Sequence, residues 1–368
     1  LQPCGSLPAK AEKWYTKKRV KNDVQAKIFE GAKRVDMENK ELTVGFFRRE
    51  DAEGVARLFA EVYGDSYPAR IVYEPDRLIA AYENRDNIPV VVRTPENRVV
   101  GYSSFFRAAP DKGVYEKGNG AVAMDYRNAG IMGMIFRFVK EVMRDLPDIK
   151  VFFGEPVCNH VYIQKAALAN LPFVETAIEV DLMPAEAYEK EKSASGRVST
   201  LLMFITVVPK PHAVYIPHMY AGYLGYIYDG LDDRRSFFAS EGSLPPERQT
   251  RIETQIFDFA QVARLSVSEA GQDFEKVFTA EEGRVLSGNV NVIQVWLRSS
   301  WPWIGEAVAL LKRNGYFFGG VFPQWFGEDG LFMQKILLRP NWEGIHLFSE
   351  RAKKILEFIR ADWEKGAT

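Results

Sequence analysis

The residues of this chain that could do chemistry fall into two groups. The first is the run Ala121-Val122-Ala123-Met124-Asp125-Tyr126-Arg127-Asn128-Ala129-Gly130-Ile131-Met132-Gly133. It reads as an apolar strand, a turn through Tyr126 to Gly130, and a helix carrying Ile131, Ile135, Phe136 and Val139. A strand that enters a helix through small residues leaves the first helical amides unpaired and aimed at one spot, at the positive end of the helix dipole. Such a place seats an anion, for example a pyrophosphate, and Arg127 in the turn adds a full charge. The second group handles protons. His160 follows a strand that runs up to Glu155 and opens a helix whose Gln164 shares its face. A histidine with a carboxylate nearby is a candidate base near neutral pH. Glu116 and Asp125, on or beside the strand before the turn, are alternatives, and Asp125 is expected to pair with Arg127 or to cap the turn.

Other reactive residues suggest less. His212 and His218 flank Val214-Tyr215-Ile216-Pro217 and stand too far apart on an extended strand for a metal pair, so no metal site is expected. Cys4 and Cys158 are the two cysteines, without disulfide-framework or zinc spacing, and imply reduced thiols in a cytoplasmic protein. A length of 368 residues corresponds to about two domains. Hydrophobic content of 46% and charged content of 26% describe a globular chain with sizeable cores. A net charge of -1 argues against a general nucleic-acid binder. No uncharged apolar run approaches membrane-spanning length, and no signal-peptide pattern opens the chain.

The elements that must position these residues follow in order. Residues 1 to 40 are rich in Lys and Arg, with Val20, Val24 and Ile28 at helical spacing, and read as a basic helical arm packed on its own protein. Leu42 to Phe47 is a strand, and helices open at Arg49 and Pro75. Pro89–Arg93 and Arg98–Ser103 form a hairpin, and Val114–Ala123 is the strand that enters the turn. Lys150–Gly154 is a buried strand, Asn159–Leu171 a helix and Phe173–Met183 a long strand. After a linker over 187–198 come strands at Leu201–Val208 and Ala213–Ile216, a helix with Tyr220, Leu224 and Ile227, and a long strand over Thr254–Val267. A strand at Asn289–Leu297, a helix at Ile304–Leu311 stopped by Asn314-Gly315, and a hairpin of Tyr316–Val321 with Leu331–Leu338 close the chain. Trp301-Pro302-Trp303 and Phe322-Pro323-Gln324-Trp325-Phe326 read as exposed-looking loop clusters that either line an apolar substrate site or, the preferred reading, lie in the interface between the two domains.

Tyr126-Arg127-Asn128-Ala129-Gly130-Ile131-Met132 resembles the acyl-CoA loop of the GNAT superfamily of N-acyltransferases, whose pattern is Arg or Gln, two residues, Gly, one residue, then Gly or Ala. Arg127 and Gly130 match, and Met132 stands in the place of the last small residue. Either Met132 crowds the pyrophosphate or the turn is shifted so that Gly133 takes that role. The order strand, two helices, three strands, helix, strand, helix, strand over about residues 42 to 184 is similar to the GNAT fold. Val99-Val100-Gly101-Tyr102 and Leu171-Pro172-Phe173 also resemble that family's habits.

The resemblance implies an α/β protein with a mixed sheet, and an acyl-CoA domain at 41–186. The amides of Arg127, Asn128, Ala129, Gly130 and Met132 would hold the pyrophosphate, and that of Met124 the pantetheine. Acetyl-CoA, or another acyl-CoA, would give its acyl group to a primary amine of a small molecule or peptide near Glu155 and His160. The tyrosine that many members carry in the last helix is replaced by Leu168, and Tyr162 faces elsewhere on that helix. Leu311-Lys312-Arg313-Asn314-Gly315-Tyr316-Phe317 is similar to the helix-to-strand junction that ends such domains, so residues 199–368 read as a degenerate second copy that has lost acyl-CoA binding, or as an unrelated α+β domain. Two rival functions keep the fold: a non-catalytic acyl-CoA-binding module, suggested by Met132 and Leu168, and acyl transfer involving the phosphopantetheine of an acyl carrier protein. A third treats the basic arm as a membrane or protein adaptor.

Overall fold

The computed structural model describes residues 33–37, 40–65, 67–187, 196–231 and 234–366. Most of the expected basic arm lies outside these residues. Its end does not: Lys33–Met37 is a strand that pairs antiparallel with the next one, which corrects the helical reading there. Among the described residues no helix is long and apolar enough to cross a membrane. The chain separates into two compact units, one running up to Phe105 and including Asn119–Pro147, the other made of Phe106–Gly118 and everything from Asp148 on.

In the first unit β1 (Lys33–Met37), β2 (Lys40–Phe46), β3 (Asn87–Arg93), β4 (Val99–Arg107) and the end of β5 (Val114–Val122) are neighbours in that order. Helices α1 (Ala52–Tyr63) and α2 (Pro75–Glu83) lie between β2 and β3 in the chain, and α3 (Ile131–Val142) follows β5. Their apolar residues recur at helical spacing, so each has one face to bury. Val55, Leu58 and Phe59 of α1 are buried, as are Ile131, Met134, Ile135, Phe138 and Val139 of α3. The ring of Phe138 meets that of Phe46 edge-on at 5.1 Å. Arg93 and Asp51 form a buried ion pair, with Arg93 Nε 2.6 Å from Asp51 Oδ1 and Nη2 donating to the Phe46 carbonyl. The pair fastens the start of α1 to β3, and removing one partner of such a pair costs about 3–5 kcal/mol.

The second unit holds the first part of β5, then β6 (Val151–Gly154), α4 (Tyr162–Asn170), β7 (Val174–Met183) and β8 (Val198–Thr206). It continues through β9 (His212–Ile216), α5 (Ala221–Asp229), β10 (Arg235–Ala239), β11 (Arg251–Phe257), β12 (Val262–Glu269) and α6 (Phe274–Leu286). It ends with β13 (Val292–Arg298), α7 (Ile304–Arg313), β14 (Phe317–Phe322), β15 (Gly330–Ile336) and α8 (Glu350–Gly366). Strands β9 and β10 form a separate parallel pair, and the others run in the order β5-β6-β8-β7-β14-β15-β13-β12-β11.

That order repeats itself. Strands β5 and β6 are parallel, and β8 inserts antiparallel between β6 and β7. Strands β12 and β13 are parallel, and β15 inserts antiparallel between β13 and β14. Both inserted pairs carry a bulge, at Glu175/Ala177 and at Phe318/Gly320, and the two sets join where Gly320 faces Ala177. The compact units therefore do not divide at the linker expected over 187–198, because β8, which follows it, is built into the sheet on either side. The expected long strand over Thr254–Val267 is two strands, reversed at Asp258–Gln261 with Gln261 at φ 56°. The aromatic clusters that look exposed in the sequence are largely buried. Trp301, Phe322, Trp325 and Phe326 are each under 8% exposed. Phe322, Trp325 and Phe326 share a core with Phe153, Phe204, Trp296 and Phe332, at the seam between the two sets.

Candidate functional site

The turn between β5 and α3 belongs to the first unit. Asn128 and Gly130 both have left-handed backbones, at φ 66° and 70°, and Gly130 is the residue just before α3. Two such residues wind the chain tightly enough for the open end of the helix to follow the strand directly, and only glycine adopts this conformation without strain. The amides of Tyr126, Arg127 and Ala129 bond within the turn, to the carbonyls of Ala123, Met124 and Tyr126. That removes Arg127 and Ala129 from the amides expected to face a ligand. Those of the first helical turn, Met132 and Gly133 included, have no intrahelical acceptor. The Arg127 guanidinium has no partner among the described residues and, like Gly130, is exposed.

Three neighbours shape the approach to the turn. The Met132 side chain reaches over Gly120, where its Cε would lie 3.7 Å from a Cβ built there. The Met124 amide donates to Glu61 Oε1 at 3.2 Å. Asp125 pairs with Arg98, at 2.8 Å, rather than with Arg127, and Arg98 also reaches Glu61. Among the described residues the loop thus has Arg127 unpaired at the helix start, with its acids neutralised on the flank.

The residues expected to handle protons lie in the second unit, where the aromatic seam forms a buried apolar floor. On the same face as that floor stand Glu116 of β5, Glu155 just past β6, Glu179 of β7 and Arg264 of β12. Arg264 Nη2 lies 3.4 Å from Glu179 Oε1, although three strands separate β12 from β7. The sheet must coil strongly for that contact to exist. Arg264 Nε donates to Gln294 Oε1 at 2.8 Å, and Thr200 Oγ1 donates to Glu179 Oε2 at 3.1 Å. Burial pushes the Glu116 carboxyl up to about 7; Arg264 works against that rise and Glu179 adds to it. Burial, then Glu179 and Glu116, push Glu155 well above the usual carboxylate range, against Arg264. Glu179 is raised by burial too, opposed by Arg264, Thr200 and Gln294. Next to Glu116, burial brings the Lys117 ammonium down to about 7. Such a set can hold and exchange a proton near neutral pH.

Glu116 and Glu155, both expected, are therefore brought together, and Glu179 and Arg264 join them unforeseen. A charged residue inside a strand whose neighbours are all buried, as in Glu179-Val180-Asp181, was the available signal, since buried charges must be paired. His160 is not part of the set. The helix starts at Tyr162, so His160 lies in the loop before it, with its ring 5.2 Å from that of Tyr162 and its Nδ1 buried without a partner. It lines a cleft of about 640 Å³ with Lys165, His346 and Lys353. Gln164, expected to share its face, is a buried clamp that donates to the carbonyls of Val157, His160 and His346 and accepts from the Phe348 amide. Leu168 and the 76% exposed Tyr162 contribute no hydroxyl to the carboxylates.

His212, which the sequence left without a role, is tied into a buried knot. Its Nε2 lies 3.2 Å from Asp329, which also accepts from Arg235 Nε at 2.6 Å. Burial alone would raise the Asp329 carboxyl; Arg235 and His212 outweigh it and hold it well below the usual range.

The second strand-to-helix passage of the repeat, between β12 and α6, is filled. The Gly271 amide donates to Thr250 Oγ1, and Asp273 Oδ1 accepts from both the amide and the hydroxyl of Thr250. The Gln272 amide donates to the Pro245 carbonyl, and a Cβ on Gly271 would lie 1.9 Å from the Arg248 carbonyl oxygen.

No protein-family model and no curated protein matches the chain. Among solved structures it is similar to a ribosomal-protein-S5-alanine acetyltransferase from Vibrio fischeri, at 14% identity and a TM-score of 0.36, over 47% of this chain and 96% of that one. A ribosomal-protein-S18-alanine N-acetyltransferase from Escherichia coli is similar at 12% identity and 0.35, over 46% and 96%. The spermidine/spermine N-acetyltransferase of Vibrio cholerae is similar at 13% and 0.34, over 45% and 95%. The order of elements from β2 to β8, rather than this distant likeness, makes the chain a mixed α/β protein of the GNAT fold.

Proposed function

We propose that the chain transfers an acyl group, acetyl being the simplest, from acyl-CoA to an amine. The observation that carries this reading is the pair of left-handed residues, Asn128 and Gly130, that set the open end of α3 directly after β5, beside an unpartnered Arg127. Amides of Asn128, Gly130, Met132 and Gly133 would hold the pyrophosphate, with Arg127 supplying charge. Binding at that place would need the Met124 amide to exchange Glu61 for the pantetheine.

In the reaction the amine nitrogen attacks the thioester carbon, the C–S bond breaks and the thiolate leaves as CoA. The acceptor's proton goes to Glu116 or Glu155, and the departing thiolate takes its proton back from that carboxyl or from water. Direct transfer depends mostly on positioning, with acid–base help adding roughly 10²–10⁴ in rate. We read the second set of elements, β11 to β15, as a degenerate copy whose own passage no longer takes CoA. Supporting that reading are the repeated strand order and the sealing of Gly271 by Thr250 and Arg248.

The test is calorimetric titration of acetyl-CoA into the protein and into an Arg127→Ala, Gly130→Trp double variant, followed by thiol release with an amine panel. Micromolar binding lost in the variant and turnover lost in Glu116→Gln are the expected results. Absence of binding to the unaltered protein defeats the proposal. A second reading, a non-catalytic acyl-CoA-binding module, is favoured by Leu168 in the tyrosine position and by Glu61 on the Met124 amide; binding without thiol release would establish it.

A further inference from the structure

The repeat places Glu116 and Arg264 at the same point of their two sets. Glu116 faces Phe153 across the parallel pair β5–β6, and Arg264 faces Gln294 across the parallel pair β12–β13. Both are third in their strands, Val114-Tyr115-Glu116 and Val262-Ala263-Arg264. Equivalent positions thus carry opposite charges, and the coiled sheet turns them toward the same space.

Arg264 is held there firmly. Its Nε bonds to Gln294, its Nη2 approaches Glu179, and its guanidinium lies 5.3 Å from the Phe257 ring and 5.8 Å from that of Trp296. Gln294 is fully buried and is fixed by its strand, so the guanidinium has little freedom to leave. The charged and titratable groups acting on one another here are Glu116 from β5, Glu155 after β6, Glu179 from β7 and Arg264 from β12. Three carboxylates share one guanidinium over an aromatic floor, so without the cation none of them would readily ionise.

We propose that Arg264, contributed by the otherwise degenerate set of strands, is a positioning residue for the proton transfer of the other set. Anchored on Gln294 and Glu179, it stabilises a negative charge within the cluster, so that Glu116 or Glu155 is free to accept the acceptor's proton. This inference rests on the reading of the chain as an acyltransferase, and it explains why the second set persists without a ligand seat of its own. Its chemistry requires no cofactor: the proton moves from the acceptor ammonium to a carboxylate, and Arg264 keeps its own protons throughout.

The experiment compares the full chain with Arg264→Gln, Arg264→Lys and Gln294→Leu. The pH dependence of kcat/KM is measured with acetyl-CoA and the best amine of the panel. In Arg264→Gln the acidic limb should move to higher pH by about one unit or more, with kcat falling and acetyl-CoA affinity changing less than about twofold. Arg264→Lys should recover most of the limb. Gln294→Leu, which keeps the charge but frees it, should move the limb the same way by less, and serves if Arg264→Gln does not fold. Carbon-13 NMR of glutamate-labelled protein follows the same carboxyls without any turnover, Glu116→Gln identifying the Glu116 signal. If the Glu116 and Glu155 titrations are unchanged in the Arg264 and Gln294 variants, the proposal is overturned. Titrations that move in a chain showing no acyl transfer would uphold the role of Arg264 in the cluster while rejecting the acyltransferase reading.

Discussion

The passages β5–α3 and β12–α6 have the same place in the repeat and opposite fates. The first is open: two left-handed residues, an exposed glycine and an arginine without a partner among the described residues. The second is stoppered by its own chain, with Thr250 and Asp273 satisfying each other and the Pro245 and Arg248 carbonyls pressed against the turn. Amides in a strand-to-helix passage can serve a ligand only while no part of the chain has taken them, and the two passages differ in this. Where an amide is left to solvent, a ligand can take it. Where Thr250 and the Pro245 carbonyl hold the amides of Gly271 and Gln272, just ahead of α6, the gain goes to stability and the ligand is excluded.

Paired substitutions can break this contrast. Gly130→Trp should weaken acetyl-CoA binding by at least about a hundredfold in calorimetry while lowering the melting temperature by a few degrees at most, the cost of a side chain at a left-handed but exposed position. Gly271→Val should do the reverse. Its side chain would collide with the Arg248 backbone, costing about 1–3 kcal/mol in denaturant titrations, with acetyl-CoA affinity intact. Equal loss of ligand in both variants would end the distinction.

A third prediction concerns pH. Because the folded chain holds the Glu116 proton up to about 7 against an ordinary 4.5, the native state binds more protons than the unfolded state in that window. Stability should therefore fall as pH rises from about 4.5 to about 7 and level off above. Glu116→Gln should flatten its share of that decline in melting curves; an unchanged slope would remove Glu116 from the buried set. Asp273→Ala, which takes the acceptor from the Thr250 amide and hydroxyl, should lower the melting temperature by a few degrees and create no acetyl-CoA binding. The smallest effect is expected of Glu61→Gln, which weakens the hold on the Met124 amide and should tighten acetyl-CoA binding a few-fold. Weaker binding there would mean that Glu61 serves the ligand.

The sequence reveals most of what is local. The apolar runs of β3, β4 and β14, the start of α2 at Pro75 and the stop at Asn314-Gly315 are readable because short-range sterics and burial decide them. Gly130 and Arg127 are readable for the same reason: a strand-to-helix turn needs them within a few residues. What depends on strands far apart in the chain is not readable. The insertion of β8 between β6 and β7 is a long-range pairing that no periodicity announces. Arg264 looks like the polar member of an alternating strand until the sheet coils and brings it to Glu179. Trp325 and Phe326 sit in a loop rich in turn residues, which suggests exposure, yet that loop plugs the aromatic seam. The helix that His160 is expected to open begins at Tyr162, a shift of two residues that sequence periodicity does not resolve.

The clamp made by Gln164 has a consequence in time. Gln164 waits for the His346 carbonyl, 182 residues later in the chain, and Glu175 waits for Ser349 and Arg351. At roughly 5–20 residues per second, a ribosome needs on the order of ten seconds or more to deliver those partners. Until then the loop beyond Glu155 has its backbone bonds to Ser199 and Leu201 but not the closing half of the Gln164 clamp, and Glu179 spends much of that interval without its cation. A nascent chain can complete the turn before α3 early and the surroundings of Glu155 and Glu179 only near the end of synthesis. The acyl transfer proposed above should therefore begin only with release of the finished chain, and a protein clipped ahead of His346 should keep the turn while losing the geometry of the acids.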